Sequence, residues 1–129
     1  MNPVTHFEIP YHDAKRATNF YAQVFGWKHQ FLGADMGNYI LATTVEHDVK
    51  PGSPAGAING GMFPYKDDWP AQYPSIVIGV GNIAKTMQAI NENGGEVLGE
   101  PHEIPGTGKY VAFMDTEGSR LSILEPVSM

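Results

Sequence analysis

The sequence predicts an α+β fold made of two tandem βαβββ modules, that is, two copies of a strand-helix-strand-strand-strand unit. Short segments rich in β-forming residues alternate with two stripes typical of amphipathic helices. A strand start, a helix N-cap and a helix stop each recur 69 residues later, in the pairs His6 and Ser75, Asp13 and Asn82, and Gly26 and Gly95. This register indicates duplication; chance spacing in an ordinary α+β domain is the alternative. We predict a single domain over residues 1–129, with modules at 1–63 and 75–129 and a linker at 64–74.

Composition excludes several classes of function. The net charge is -6, and the few lysines and arginines form no basic stripe, which argues against nucleic-acid binding. There is no cysteine, so disulfides, a thiolate nucleophile and a cysteine zinc site are excluded. No apolar run approaches the roughly 20 residues that cross a bilayer. Residues 1–4 lack the basic and apolar regions of a secretory signal, so we expect a cytoplasmic protein without membrane partners.

The first predicted strand, Val4–Pro10, carries an imidazole and a carboxylate two residues apart, at His6 and Glu8. Residues i and i+2 of a strand point to the same face, so these two side chains share one face. The opposite face is apolar and carries Thr5, Phe7 and Ile9. The strand therefore predicts one face suited to chemistry and one suited to a core.

A helix follows, with Asp13 as its N-cap and Gly26 as its stop. Aromatic residues around this helix have the spacing of core residues, namely Phe7, Phe20, Tyr21, Phe25 and Trp27. Three more strands are predicted at 27–31, 39–44 and 57–63, with a loop at 46–56 before the last. Gly60 and Gly61 in the fourth strand indicate either a weakened strand or a close approach of the backbone to another group.

The second module begins with a strand at 75–80, and Asn82 caps its helix. The helix ends at Asn93-Gly94-Gly95. Strands at 96–98, 110–114 and 121–124 complete the module, with a tight turn at 115–118. We predict a loop at 101–108, and we assign it no phosphate role because it lacks the strand-to-helix context of a phosphate cradle.

Four segments together resemble the glyoxalase, bleomycin-resistance and ring-cleaving dioxygenase superfamily, also called vicinal oxygen chelate proteins. They are His6–Pro10, Ala17–Trp27, Ile58–Met62 and Asp115–Gly118, and the likeness covers nearly the whole chain, closest to the glyoxalase-like branch. The resemblance implies two βαβββ modules that form a cup-shaped, curved mixed sheet, a small-molecule ligand and a homodimer. It selects no reaction, because this fold serves lyases, isomerases, dioxygenases and drug-binding proteins.

The resemblance also implies a metal site in the metal-dependent members, with four inward-facing His or Glu ligands. His6 matches the first ligand, whereas Ser75 and Ser122 stand at the equivalent positions of the second module. The matching strand of the first module offers only Asn59. Hydroxyls and an amide are weak ligands for a divalent transition metal, so we expect the four-ligand site to be incomplete and the cofactor stays unknown.

Two alternatives would restore a metal ligand set. Glu8 shares the face of His6, and Glu125 could turn inward if the last strand contained a bulge or a one-residue register shift. By simple alternation Glu125 lies on the face opposite to Ser122.

Other residues are candidates for catalysis or binding. His6 with Glu8 could act as a general base and its partner, or His6 could be a half-buried structural histidine. Trp69 and Tyr65 lie in a proline-rich connection that no helix or strand stripe explains, so they line a pocket mouth, contact a second copy or shield the linker. His102 lies in a rim loop where it could touch ligand. We expect His12, His29 and His47 to be solvated.

Two hypotheses for function follow. In the first, the protein is an enzyme of the lyase, isomerase or dioxygenase-related type with a degenerate metal site and with His6 and Glu8 as catalytic residues. In the second, it is a non-catalytic protein that sequesters an apolar or planar small molecule, as bleomycin-resistance proteins do. The expected ligand-binding residues are Trp69, Tyr65, Ser75, Ser122, Glu125 and His102. An interaction domain with a filled cup is a third possibility.

Overall fold

The computed structural model describes residues 1–45 and 57–127 of the chain, and the predicted loop 46–56 and His47 lie outside them. The first five strands and α-helices are β1 (Val4–Tyr11), α1 (Ala14–Phe25), β2 (Lys28–Phe31), β3 (Ile40–Thr43) and β4 (Gly60–Pro64), with a short 3-10 helix at Ala34–Met36 between β2 and β3. The next five are β5 (Ser75–Gly79), α2 (Ile83–Glu92), β6 (Glu96–Ile104), β7 (Gly108–Met114) and β8 (Arg120–Pro126). The order βαβββ occurs twice, which confirms the predicted α+β class.

The chain divides into two compact units. The N-terminal unit is His6–Trp69, and the C-terminal unit is Pro70–Met129 together with Met1–Thr5. No helix among the described residues is long and apolar enough to span a bilayer.

In the N-terminal unit the strand order is β2-β3-β4-β1, with β1 parallel to β4 and the other neighbours antiparallel. Helix α1 covers one face of this sheet. The buried residues Tyr11, Ile40 and Met62 form the core, and Ile9, Ala14, Ala17 and Tyr21 pack against them. Both ends of the helix follow the prediction: the Asp13 side chain accepts the Arg16 amide at 3.0 Å, and Gly26 takes the left-handed conformation with φ of 74°.

The prediction that every aromatic residue around α1 belongs to the core is wrong for two of them. Phe20 and Phe25 are 55% and 61% exposed. The buried stripe runs through Ala14, Ala17 and Tyr21, and Phe20 lies one residue, or about 100° of helix rotation, away from Tyr21. Tyr21 instead stacks on Trp27 with ring centroids 4.7 Å apart.

In the C-terminal unit the strand order is β5-β8-β7-β6. The neighbouring strands β5 and β8 are parallel, and the other neighbours are antiparallel. Helix α2 packs on a core formed by Val80, Ile83, Val111, Phe113 and Ile123. The predicted loop at 101–108 is partly wrong, because β6 continues to Ile104 after a register shift between Leu98 and His102. A bulged strand at the end of the sheet order tolerates Pro101, whose missing amide hydrogen breaks no ladder on the unpaired side.

Candidate functional site

The candidate site lies on the face of the N-terminal sheet opposite α1, which we call the helix-free face. Ile9 and Tyr11 of β1 point toward α1, since both belong to the core on that side. His6 and Glu8 alternate with them and therefore point to the helix-free face, as the sequence predicts. Glu8 is 5% exposed and His6 is half-buried.

Tyr39, which immediately precedes β3, joins these two side chains. Its hydroxyl donates to Glu8 Oε2 at 2.8 Å, and His6 Nε2 lies 3.2 Å from the same hydroxyl oxygen. One phenol thus bridges the imidazole and the buried carboxylate. We name this arrangement the His6-Tyr39-Glu8 bridge.

Gly61 makes room for the bridge. It is the cross-strand partner of Glu8 on β4, and a β-carbon at position 61 would collide with the hydroxyl end of Tyr39. Gly60 has the same relation to Phe7 on the other face of the sheet, where a β-carbon would meet the Phe7 ring. The two glycines therefore mark close approaches of aromatic rings to the backbone, which is one of the two alternatives that the sequence left open.

The surroundings keep the imidazole neutral. Burial lowers the pKa of His6 below the usual value of a histidine, because a desolvated imidazolium is disfavoured. A neutral imidazole carries one N–H and one lone pair, so at neutral pH His6 is able to accept a proton. This is the protonation state that a general base requires.

Of the two aromatic residues predicted to bind ligand, Trp69 packs on a residue of the helix-free face. Phe63 follows Gly61 by two residues on β4 and therefore shares the helix-free face. The ring centroids of Phe63 and Trp69 are 6.4 Å apart, and Lys66 Nζ lies 5.7 Å from the Trp69 ring centroid. Tyr65 is elsewhere: its ring packs on that of His12, which precedes α1, with centroids 4.6 Å apart.

A pocket of about 220 Å³ also lies in the N-terminal unit. Its lining residues are Tyr11, Ala14, Phe31, Gly33, Asn38, Tyr39 and Pro64. The Tyr11 hydroxyl donates to the backbone oxygen of Asn38 at 2.6 Å, and burial raises the pKa of Tyr11. Tyr39 belongs both to this pocket and to the bridge, whereas His6 and Glu8 are not among the lining residues.

Three predicted ligand contacts lie on the corresponding face of the C-terminal sheet. Ser122 is 3% exposed, and its hydroxyl donates to the Tyr110 hydroxyl at 2.7 Å. Ser75 shares its face, because Val77 is the cross-strand partner of Ser122 and Ser75 precedes it by two residues. His102 is exposed and is the cross-strand partner of Tyr110.

Glu125 occupies a different position. Its Oε1 accepts the Ile83 amide at 2.9 Å, at the first turn of α2. A carboxylate at this place satisfies a free amide of the helix N-terminus and complements the helix dipole. Glu125 therefore faces α2, on the side of β8 opposite to Ser122, as simple alternation predicts.

The expectation that His29 is solvated is wrong. Its Nε2 atom is buried and has no hydrogen-bond partner within the described part of the chain, and burial lowers the pKa of the ring. The reason is its register: β2 pairs with β3 so that His29 lies opposite Ala42, which is 1% exposed. His12 is exposed, as expected.

Among the described residues, the donor side chains do not fit a four-ligand metal site. Within residues 1–45 and 57–127, no three side chains of the types His, Cys, Asp or Glu are grouped so that they could hold a metal ion. The second-module positions carry the hydroxyls of Ser75 and Ser122, and the latter is already bonded to Tyr110. Such neutral oxygens are weak ligands for a divalent transition metal, so no step below is assigned to one.

Comparison with known proteins gives consistent results. The family model described as Glyoxalase/Bleomycin resistance protein/Dioxygenase superfamily matches residues 4–123. A curated relative, a glyoxylase-like domain-containing protein of Didymella fabae, is 29% identical over 121 residues, which are 93% of this chain and 91% of the relative.

Solved structures are similar in fold. A hypothetical protein from Bacillus halodurans C-125 superposes with a TM-score of 0.68 at 17% identity, covering 99% of this chain and 96% of the other. Methylmalonyl-CoA epimerase from Mycobacterium tuberculosis gives 0.64 at 14% identity, with 97% and 88% covered. The epimerase from Streptomyces coelicolor gives 0.69 at 16% identity, with 100% and 97% covered. At such identities the likeness concerns the fold alone.

Proposed function

Since the chain belongs to the glyoxalase/bleomycin resistance protein/dioxygenase superfamily, we propose that it is a small-molecule enzyme of the lyase or isomerase type with a degenerate metal site, in which His6 moves a proton. The observation that supports this is the His6-Tyr39-Glu8 bridge. It provides a neutral imidazole linked through a phenol to a buried carboxylate. We propose a small molecule as the partner, and neither nucleic acid nor a membrane.

The proposed chemistry is removal of a proton from a carbon next to a carbonyl group. The His6 imidazole accepts the proton, and the C–H electron pair passes into the carbonyl to form an enolate. Return of the proton to the other face or to a neighbouring atom gives an isomerase, and loss of a leaving group gives a lyase. The Glu8 carboxylate, acting through Tyr39, stabilises the imidazolium that forms. A positioned general base contributes a factor of about 10²–10⁴ in rate.

The fold supports this choice of reaction class by precedent. Several structures similar to this chain are named methylmalonyl-CoA epimerase, so the fold accommodates an isomerase. The substrate of this protein is a separate question. We propose that Phe63 and Trp69 bind an apolar or planar part of it, since an indole and a phenyl ring lie beside each other near the helix-free face.

Ligand contacts in the C-terminal unit are also proposals. Ser75, Ser122 and His102 are supported as contacts by their place on the face of that sheet opposite α2. Glu125 has weaker support, because it caps α2. Tyr65, which belongs to the N-terminal unit, also has weaker support, because it packs on His12. A homodimer is proposed from the family likeness, and a monomeric mass by light scattering at micromolar concentration would count against it. The cytoplasmic location expected from the sequence stays a proposal.

A non-catalytic binding protein is the second candidate. The observation that favours it is that hydroxyls, Ser75 and Ser122, stand where the family's metal-dependent members have a His and a carboxylate ligand, so the metal that usually serves as the electrophile would lose two ligands. Such a protein would hold the same apolar or planar molecule without changing it. Loss of His6 would then leave most of the ligand affinity in place.

Solvent hydrogen exchange distinguishes the two candidates. The protein is incubated in D₂O with acyl thioesters, 2-oxo acids and thiol adducts of 2-oxoaldehydes, and deuterium in the recovered compounds is measured by mass spectrometry. We expect exchange into at least one class, and its rate should fall by a factor of about 10²–10⁴ in His6→Ala. His12→Ala is the matched control, because it removes an exposed imidazole from the same unit. Equal exchange by wild type and His6→Ala would contradict the proposal.

A further inference from the structure

The hydrogen bonds of the bridge also determine which nitrogen of His6 reacts. We infer that Tyr39 is a positioning residue that fixes His6 as the Nε2–H tautomer and thereby makes Nδ1 the proton-accepting atom. The catalytic consequence rests on the proposed function. The tautomer itself is a property of the resting protein and is measured without any substrate.

The phenol of Tyr39 carries a single hydroxyl proton. Tyr39 donates it to Glu8 Oε2, at a distance of 2.8 Å. Glu8 Oε2 is the acceptor in this hydrogen bond, so it gives no proton in return. The Tyr39 oxygen is therefore left as an acceptor toward His6 Nε2, 3.2 Å away, and that nitrogen must carry the hydrogen. Glu8 thus sets the direction of both hydrogen bonds.

The other ring nitrogen is then the base. Burial lowers the pKa of His6, so the neutral ring with one N–H is the form present near neutral pH. When that hydrogen is on Nε2, the lone pair is on Nδ1. Among the described residues His6 makes no second hydrogen bond, so no protein group there competes for that lone pair.

Three strands cooperate to hold the phenol in place. His6 and Glu8 come from β1, Tyr39 immediately precedes β3, and Gly61 comes from β4, which lies between these two strands. The hydroxyl end of Tyr39 occupies the space that a β-carbon at position 61 would need. Gly61 is therefore required for the His6-Tyr39-Glu8 bridge, since it lets the Tyr39 phenol reach both partners across β4.

The test is ¹⁵N NMR of the histidine side chains, in which protonated and unprotonated ring nitrogens have well-separated shifts. At a pH above the His6 pKa, the wild-type ring should show Nε2 protonated and Nδ1 unprotonated. Tyr39→Phe keeps the ring over Gly61 but removes the hydroxyl, so a measurable share of the Nδ1–H tautomer should appear. Glu8→Gln should shift the ring in the same direction, because the amide can donate to Tyr39 and release the phenol proton toward Nε2.

Tyr73→Phe is the control, since it removes a phenol hydroxyl that is 72% exposed and should leave the tautomer unchanged. Amide spectra of each variant establish that the fold is retained. An Nδ1–H tautomer in the wild type, or the same tautomer ratio in wild type, Tyr39→Phe and Glu8→Gln, would overturn the inference.

The same variants separate this inference from the proposed function. If Nε2–H is found but His6→Ala exchanges deuterium as wild type does, the tautomer assignment stands and the catalytic proposal fails. If His6→Ala abolishes exchange but the tautomer ratio of His6 is the same in wild type and Tyr39→Phe, the catalytic proposal stands and the positioning role of Tyr39 fails. If both hold, Tyr39→Phe should lower kcat more than it changes KM, because a hydroxyl that sets the tautomer of the base acts on the proton-transfer step.

Discussion

The Tyr39 hydroxyl occupies the space beside the Gly61 backbone where any other residue would place its β-carbon. This contact decides whether a phenol reaches across β4 to the buried carboxylate of Glu8 on the neighbouring strand. The candidate site therefore depends on a residue that performs no chemistry. Replacement of Gly61 therefore tests directly whether the His6-Tyr39-Glu8 bridge needs this space.

Gly61→Ala should displace Tyr39 and weaken the bridge. The new methyl group collides with the phenol, so either the ring or β4 must move, and overpacking of this kind costs about 1–3 kcal/mol. Urea unfolding measures the loss in the free energy of unfolding. In the same variant, the share of the Nε2–H tautomer of His6 and the rate of deuterium exchange should both fall. Gly81→Ala is the matched control, because a β-carbon there meets nothing within 4 Å and its free energy of unfolding should change by less than about 0.5 kcal/mol.

Glu125 should affect stability more than ligand binding. Glu125→Ala removes the acceptor of the Ile83 amide at the start of α2 and should destabilise the protein by about 0.5–2 kcal/mol, as loss of a cap does. Glu125→Gln keeps an acceptor oxygen and should lose less. Glu100→Ala, an exposed carboxylate on β6, serves as control. A ligand affinity that falls in Glu125→Gln while stability is unchanged would show that the carboxylate contacts ligand instead.

His29 should make the fold sensitive to acid. Burial lowers its pKa in the folded state, so the unfolded chain binds the proton first as the pH falls. The free energy of unfolding should therefore decrease between about pH 6.5 and the lowered pKa, and should be constant above that range. His6 contributes in the same direction.

Urea titrations at a series of pH values measure this slope. His29→Gln removes the titrating group and should flatten it, whereas His12→Gln, at an exposed ring in the same unit, should not. An equal slope in wild type and His29→Gln would show that the buried Nε2 atom finds a partner when it is protonated.

Local signals in the sequence predict much of the fold. The spacing of Asp13 and Asn82 predicts two helix starts, and in both the side chain accepts the amide three residues further on. Alternation along β1 predicts that His6 and Glu8 share a face. These features depend on neighbours within one element, which is why a single sequence is sufficient to find them.

The bridge could not be predicted in this way. Tyr39 lies 31 residues from Glu8 in the chain, and the two meet only because β4 lies between β3 and β1 in the sheet. The glycine pair at 60 and 61 was the available signal, since it indicates a close approach but names no partner. His29 was missed for a related reason, because its burial follows from the register of β2 against β3.

The most direct test of proton transfer by His6 without a metal is the rate of solvent deuterium exchange after exhaustive chelation, and again after Ni²⁺, Zn²⁺, Mn²⁺ or Fe²⁺ is returned. The rate should be the same in both states, and in both it should be lost in His6→Ala. The contradicting result is exchange that disappears on chelation and returns at one equivalent of a divalent ion. That outcome would assign the reaction to a metal site formed by ligands other than those identified above.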